Sequence, residues 1–223
     1  MNTWLRDHCK EQDVLPLRER SLQIFKHEKE LDRLLSTGVF GPGRLTLELL
    51  RTFRTHPPLP SVRIGNGPVL LVVENDNTFN SIRSTLATNP GPVGHLAWGA
   101  GGAFEASVRS CGELAGITRI RYFGDLDVDG LRIPRNAATT AAEGALPSLL
   151  PANGLYRRLL RTESEQPGQR PALSDEASSL TSWIPDSSLR ADIVDLLGRG
   201  VRIPQEALNA SLLQADRSWI HDL

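Results

Sequence analysis

Residues 117–133 read Ile-Thr-Arg-Ile-Arg-Tyr-Phe-Gly-Asp-Leu-Asp-Val-Asp-Gly-Leu-Arg-Ile. A β-type run, Ile117 to Phe123, stops at Gly124. Three carboxylates follow at every second position: Asp125, Asp127 and Asp129. In extended backbone, residues i and i+2 share a face, so this spacing points Asp125 and Asp127 to one side together. Gly130 then lets the chain turn, and a helical pattern begins. Two carboxylates that close repel each other unless a cation lies between them. An all-oxygen donor set suits a hard divalent cation, Mg²⁺ before others.

The segments before this stretch give it a frame. Val69-Leu70-Leu71-Val72-Val73 is a continuous apolar run, the mark of a strand buried on both faces, and it stops at Glu74. A helix is expected next, capped by Asn77 or Thr78 and carrying Phe79, Ile82 and Leu86 on one stripe. Val93 to Trp98 reads as a second strand, followed by Gly99-Ala100-Gly101-Gly102. A further helix should carry Phe104, Val108, Cys111 and Leu114. The opening stretch is the third strand, and residues 131–145 read as an Ala-rich helix. Strand and helix repeated with short connections imply an open parallel α/β sheet with flanking helices and right-handed crossovers.

In such sheets, functional groups collect beyond the carboxyl ends of the strands. Glu74 follows the first strand, and Asp125 and Asp127 follow the third. Gly99 and Gly101 follow the second and form a backbone turn suited to phosphate. If the first and third strands are neighbours, three carboxylates converge beside a glycine-rich turn. Taken singly, Glu74 is an ordinary solvated strand end, and Asp127 and Asp129 are ordinary turn residues. Their placement on one edge of one sheet is what singles them out.

The flanks are simpler. Residues 1–20 read as a frayed or helical arm. Residues 21–35 read as an amphipathic helix with Leu22, Phe25, Leu31, Leu34 and Leu35 on one face. Thr46 is placed to cap a short helix carrying Leu47 and Leu50. Pro57-Pro58-Leu59-Pro60 is a stiff linker. The expected division is therefore a short helical arm with its linker, 1–60, and a main domain, 61–223. Beyond the acidic stretch, Leu155–Leu160 reads as a strand. Asp186 should cap a helix with Leu189, Ile193, Leu196 and Leu197, and Pro204 should start the last helix.

Composition narrows the class. The chain has 223 residues, 39% hydrophobic and 23% charged, with a net charge of −1. It is not a generally basic, polyanion-coating protein. No Lys occurs after Lys29, so every later fixed cation is Arg. Arg grips phosphate bidentately, which suits a nucleic-acid surface, although genomic base composition gives the same bias. The candidate contacts are Arg119, Arg121, Arg132, Arg135, Arg157 and Arg158, with Arg161 beside them. Cys9 and Cys111 make neither a disulfide framework nor a zinc site, and Cys111 falls on an apolar stripe. Residues 1–10 are polar and charged, and no apolar run is long enough to span a membrane. The expected location is cytoplasmic, with no membrane partner.

Asp125 to Gly130 matches the first six positions of a calcium-binding helix–loop–helix. That motif needs Glu at its twelfth position, where Asn136 stands, and a helix rather than a strand before the loop. The stretch also resembles the nucleophile motif of haloacid-dehalogenase-like phosphatases. Those enzymes carry it on their first strand and have Thr where Asp129 stands.

Six blocks in order fit a different family. They are Arg20–Phe25 with Glu28-Lys29, Gly43–Leu50, Val73-Glu74-Asn75, Trp98–Gly101, Tyr122–Asp127 and Pro204-Gln205-Glu206-Ala207. Together these resemble the Toprim-fold C-terminal part of the JetD-type nuclease subunit of Wadjet plasmid-defence systems. That family is related to the A subunit of type IIB topoisomerases. The resemblance spans roughly residues 18–210. It implies a Toprim-like α/β domain and a Mg²⁺- or Mn²⁺-dependent DNA endonuclease. Glu74, Asp125 and Asp127 would be catalytic and metal-binding, and Asp129 an outer-shell or second-metal ligand. The implied partners are DNA and an SMC-like ATPase complex, and the surfaces of the elements after residue 150 are open to a homodimer face. Larger family members carry DNA-gripping domains ahead of this part, so the chain alone is expected to be weakly active. The alternative is a catalytically silent subunit that keeps the fold and serves in DNA binding or assembly.

Overall fold

The computed structural model describes residues 2–7, 13–168 and 170–223. Cys9 lies outside them. The chain divides into two compact units, Met1–His56 and Pro57–Leu223.

In the second unit all five side chains of β2 (Val69–Val73) are fully buried, because the strand has neighbours on both edges and cover on both faces. Strand β2 pairs in parallel with β3 (Val93–Trp98) and with β4 (Arg119–Phe123). The first and third strands of the sequence pattern are thus adjacent. Beyond β4 lies β5 (Leu149–Pro151), also parallel. Strand β1 (Ser61–Arg63) runs antiparallel along the outer edge of β3. The sheet order is β1-β3-β2-β4-β5, mostly parallel. Burying one Val or Leu side chain contributes about 1.5–3 kcal/mol, so this central strand anchors the fold.

Flanking helices are α1 (Asp76–Leu86), α2 (Ala103–Ser107), α3 (Val128–Glu143), α4 (Asn153–Leu160), α5 (Ser174–Leu180) and α6 (Ser187–Gly198). A small antiparallel pair joins β6 (Gln166–Pro167) to β7 (Val201–Arg202). Asp186 does cap α6, accepting from the Leu189 amide at 3.0 Å. Cys111 is buried and free.

Several expected elements differ. Leu155–Leu160 lies in helix α4, not in a strand. Leu155, Tyr156 and Leu159 are fully buried while Arg157 points outward, which is a helical repeat rather than an alternation. Helix α1 begins at Asp76, ahead of both proposed caps, and Asn75 at its N-cap position makes no side-chain cap bond. The stripe from Phe104 to Leu114 is a short α-helix running into a 3₁₀ turn at Val108–Glu113. Gly130 does not precede α3 but lies in its first turn. A Cβ there would stand 2.4 Å from the Asp125 carbonyl oxygen, so the glycine serves close approach rather than a turn. Pro204 leads into a 3₁₀ turn, Gln205–Ala207, and the helix after it is α7 (Ala210–Ala215).

The Pro-rich stretch belongs to this unit. The Pro57 carbonyl accepts from Ser110 Oγ at 2.9 Å, the Pro60 carbonyl accepts from the Trp98 amide at 2.9 Å, and Leu59 is buried in the core.

The first unit has a small core of Leu17, Leu31 and Leu50. Its expected single helix over 21–35 is two, Leu17–Phe25 and Glu30–Leu35, separated at Lys26 by a left-handed residue with φ of 58°. Leu22 consequently faces outward, half exposed. Thr46 accepts from the Leu49 amide at 3.1 Å, but it caps a turn rather than a helix. Arg20 is fully buried. It donates to the carbonyls of Asp13 and Arg51 and to Gln23, and it lies 4.9 Å from the Trp4 ring.

Candidate functional site

The register of β2 against β4 sets Val73 opposite Phe123. The next amide, Glu74, donates to the Phe123 carbonyl at 3.0 Å, so Glu74 lands beside Gly124 and Asp125. The glutamate residue is only 9% exposed. Glu74 Oε2 accepts from the Tyr122 hydroxyl at 3.2 Å and from the Asp125 amide at 3.3 Å. A Cβ on Gly124 would come within 2.2 Å of that oxygen, so only glycine leaves room for this side chain. The Tyr122 ring is aimed by its neighbours, stacked on Phe104 and edge-on to Trp183.

Burial first, and then the charge of Asp125, push the Glu74 carboxyl up to about 7. Asp125 is also raised, chiefly by burial, with the charges of Asp127 and Glu206 adding and the Gln205 amide and Arg202 opposing. Tyr122 and Tyr156 are both raised by burial and by the Glu74 charge.

The loop itself is held at nearly every amide. Gly124 donates to the Tyr156 hydroxyl at 3.0 Å, and Asp125 donates to Glu74. Leu126 exchanges backbone bonds with Ile203, at 3.0 Å and 3.2 Å. Asp127 caps α3, accepting from the Gly130 amide at 2.8 Å. Asp125 Oδ1 accepts from the Gln205 amide at 2.9 Å and from Asn75 Nδ2 at 3.4 Å. The same Asn75 nitrogen donates to Glu206 Oε1 at 2.9 Å.

Glu74, Asp125 and Asp127 are therefore neighbours on one sheet edge and feel one another's charge. One oxygen of each is engaged by its own donors, Glu74 by Tyr122 and the Asp125 amide, Asp125 by the Gln205 amide and Asn75, and Asp127 by the Gly130 amide. Among the described residues no three acidic, His or Cys side chains converge closely enough to enclose an ion as they stand. The donor chemistry nevertheless fits a hard cation, being all oxygen, anionic and mutually repelling. Asp129 turns away, bonded to Arg132 at 2.8 Å and 58% exposed. Gly99 packs against the strand end, with its amide donating to the Val73 carbonyl at 2.8 Å. Ala100 and Gly101 are both left-handed, with φ of 54° and 59°, which makes a tight turn before α2.

The six arginines chosen as nucleic-acid contacts are each engaged elsewhere. Arg119 donates to the Leu223 carbonyl, and Arg121 reaches the Ile120 carbonyl from a half-buried position. Arg132 pairs with Asp129, and Arg135 bonds Asn136 and Ser179. Arg157 pairs with Asp186, and Arg158 with Asp216.

Asn75, Tyr122, Tyr156, Arg202, Gln205 and Glu206 take part in the site but were not among the expected site residues. Four of them stood in the sequence blocks quoted above, Asn75, Tyr122, Gln205 and Glu206, and the blocks carried the signal that strand-end spacing alone did not.

A family model described as "Wadjet protein JetD, C-terminal" matches residues 58–216. No curated protein matches the chain. Among the described residues no helix is long and apolar enough to cross a membrane.

Proposed function

Because the chain belongs to the C-terminal family of the Wadjet protein JetD, we propose that it is a divalent-metal-dependent DNA endonuclease of plasmid defence, built on the Toprim fold. The observation that carries this reading is the meeting of Glu74, Asp125 and Asp127 at the carboxyl edge of two adjacent parallel strands. Asp129 stands in reserve as an outer ligand.

Phosphodiester cleavage develops negative charge on the non-bridging and leaving oxygens. Bound Mg²⁺ or Mn²⁺ supplies Lewis-acid stabilisation of that charge. The chain's own residues do the rest. Asp125, fixed by the Gln205 amide, and Asp127, fixed by the Gly130 amide, would hold the cation. Glu74, with a carboxyl pushed up to about 7, can hold the cation or accept the proton of an attacking water near neutral pH. Tyr122 orients that carboxylate. The chain's two tyrosines are both fully buried, so neither presents a nucleophile to DNA, which favours hydrolysis over strand passage.

A second reading is a silent scaffold that binds DNA or an SMC-like ATPase partner. What favours it is the lack, among the described residues, of three acids already gathered around one point. Incubation with closed-circular plasmid separates the two. Nicking or linearisation in Mg²⁺ or Mn²⁺ that chelator stops supports the nuclease. No cleavage in any metal, with or without the partner complex, overturns it in favour of the scaffold.

A further inference from the structure

The following inference rests on the reading of the acidic edge as a phosphodiester site. Carboxylates repel the phosphates they are meant to cut, so protein cations are needed beside any metal. Of the arginines singled out by sequence, Arg157 and Arg158 are paired with Asp186 and Asp216, Arg132 is paired with Asp129, and Arg161 lines cavities that Glu74, Asp125 and Asp127 do not reach. The cation that the fold brings to Asp127 is Arg202.

Its placement follows from the backbone. The exchange between Leu126 and Ile203 lashes the end of β7 antiparallel to the acidic loop. Arg202, one residue before Ile203, is thereby carried alongside Asp127. Its Nη1 lies 3.8 Å from Asp127 Oδ2, an ion pair too long to be a hydrogen bond. Its other side-chain contact is with Gln166 Oε1, at 3.5 Å. The side chain is 41% exposed. Arg202 is thus positioned by its strand and, among the described residues, keeps most of its donors unspent.

A cavity of about 190 Å³ opens beside it, walled by Asp127, Asp129, Gly168, Arg170 and Arg202. The two arginines in that wall differ. Arg170 is clamped in a fork by Glu176, at 2.7 Å and 2.8 Å. Arg202 is not clamped. A planar guanidinium on the wall of a cavity of mixed polar and apolar lining, beside the reacting edge, matches the geometry that holds a phosphate bidentately.

We propose that Arg202 grips a backbone phosphate of a nucleic-acid strand in this cavity, on the Asp127 flank of the site. It is a substrate-binding residue, and its loose pair with Asp127 is the contact it holds before substrate arrives.

The test uses the full chain, a fluorescent DNA duplex read by anisotropy in Ca²⁺, and calorimetry with Mg²⁺ alone. Arg202→Gln should weaken DNA binding about tenfold. It should also flatten the slope of log affinity against log salt by about 0.9, one phosphate's share. Mg²⁺ binding should be kept or strengthened, because a competing cation has left Asp127. Arg217→Gln, which removes a cation held by Thr88 and the Asn89 carbonyl beyond the far end of α1, should leave DNA binding unchanged. If Arg202→Gln binds DNA with wild-type affinity and slope while Mg²⁺ binding tightens, Arg202 is a counter-ion only and the proposal fails. A wild-type chain that binds Mg²⁺ but no DNA overturns the proposal and leaves the metal reading standing. A wild-type chain that binds neither removes both.

Discussion

Tyr122 lies on β4 and Glu74 directly follows the adjacent β2, and the tyrosine hydroxyl donates to the buried carboxylate at 3.2 Å. This is a positioning contact, since the phenol is sealed from solvent and cannot itself meet DNA. Tyr122→Phe removes the donor and keeps the ring between Phe104 and Trp183. The expected cost is about 0.5–1.5 kcal/mol by chemical denaturation. Mg²⁺ affinity, measured by calorimetry, should fall with it. An unchanged affinity would show that Glu74 is held without the tyrosine.

Glu74 also makes stability depend on pH. Its folded pKa, about 7, exceeds its ordinary value of 4.5, so the folded state binds the proton more tightly. Its contribution is full below about 4.5 and is lost as pH rises through about 7. In chelator, the metal-free chain should lose up to roughly 3 kcal/mol across that window. Glu74→Gln should flatten this profile, being more stable than wild type at alkaline pH. Parallel profiles for the two proteins would contradict the assignment.

Asp127 has two tasks, and one substitution can part them. Asp127→Ala removes the α3 cap as well as the charge, costing about 1 kcal/mol. Asp127→Ser keeps an oxygen for the Gly130 amide but no carboxylate. The serine variant should melt near wild type and still lose metal-dependent plasmid cleavage. Full cleavage by Asp127→Ser would remove Asp127 from the metal.

Gly124→Ala tests the crowding at the same point. The new methyl would collide with Glu74 Oε2 and lie 2.9 Å from the Tyr122 ring. The variant should be destabilised by about 1–3 kcal/mol, as for other overpacked sites, and should bind Mg²⁺ more weakly. Wild-type melting and Mg²⁺ binding would mean that Glu74 moves aside freely.

Cys111 offers a test of the core, since burial pushes its thiol up to about 12. In a Cys9→Ser background, a thiol-directed reagent near pH 8 should react only as the chain unfolds, because the thiolate is the reactive form. Rapid labelling of the folded protein would place Cys111 outside the core.

What the sequence made legible was whatever repeats over a few residues. Val69–Val73 is apolar without interruption because both its faces are covered, and Asp186 announces α6 because capping is local. Leu155–Leu160 misleads when taken as an apolar run. Its pairs of apolar residues separated by a pair of arginines follow a helical turn. At the site, the strand-end acids could be located one by one. Arg202 could not, because it arrives beside a single exchange of backbone bonds on a strand two residues long, and such a strand has no period to detect. Gln205 and Glu206 were visible only through their block and not through spacing. Nor does spacing reveal which arginines are already occupied, since that depends on acids distant in sequence, as Asp186 is from Arg157 and Asp216 from Arg158.

The Leu126–Ile203 exchange also sets an order of events during synthesis. The ribosome completes the acidic loop long before it reaches residue 203, and the central parallel strands can associate in that interval. Until the later segment emerges, the loop has no partner at Leu126, Asp125 has no amide from Gln205, and Arg202 has not reached Asp127. Contacts so far apart along the chain are slow to close. Whatever chemistry this edge performs, the nascent chain is unarmed for most of its translation.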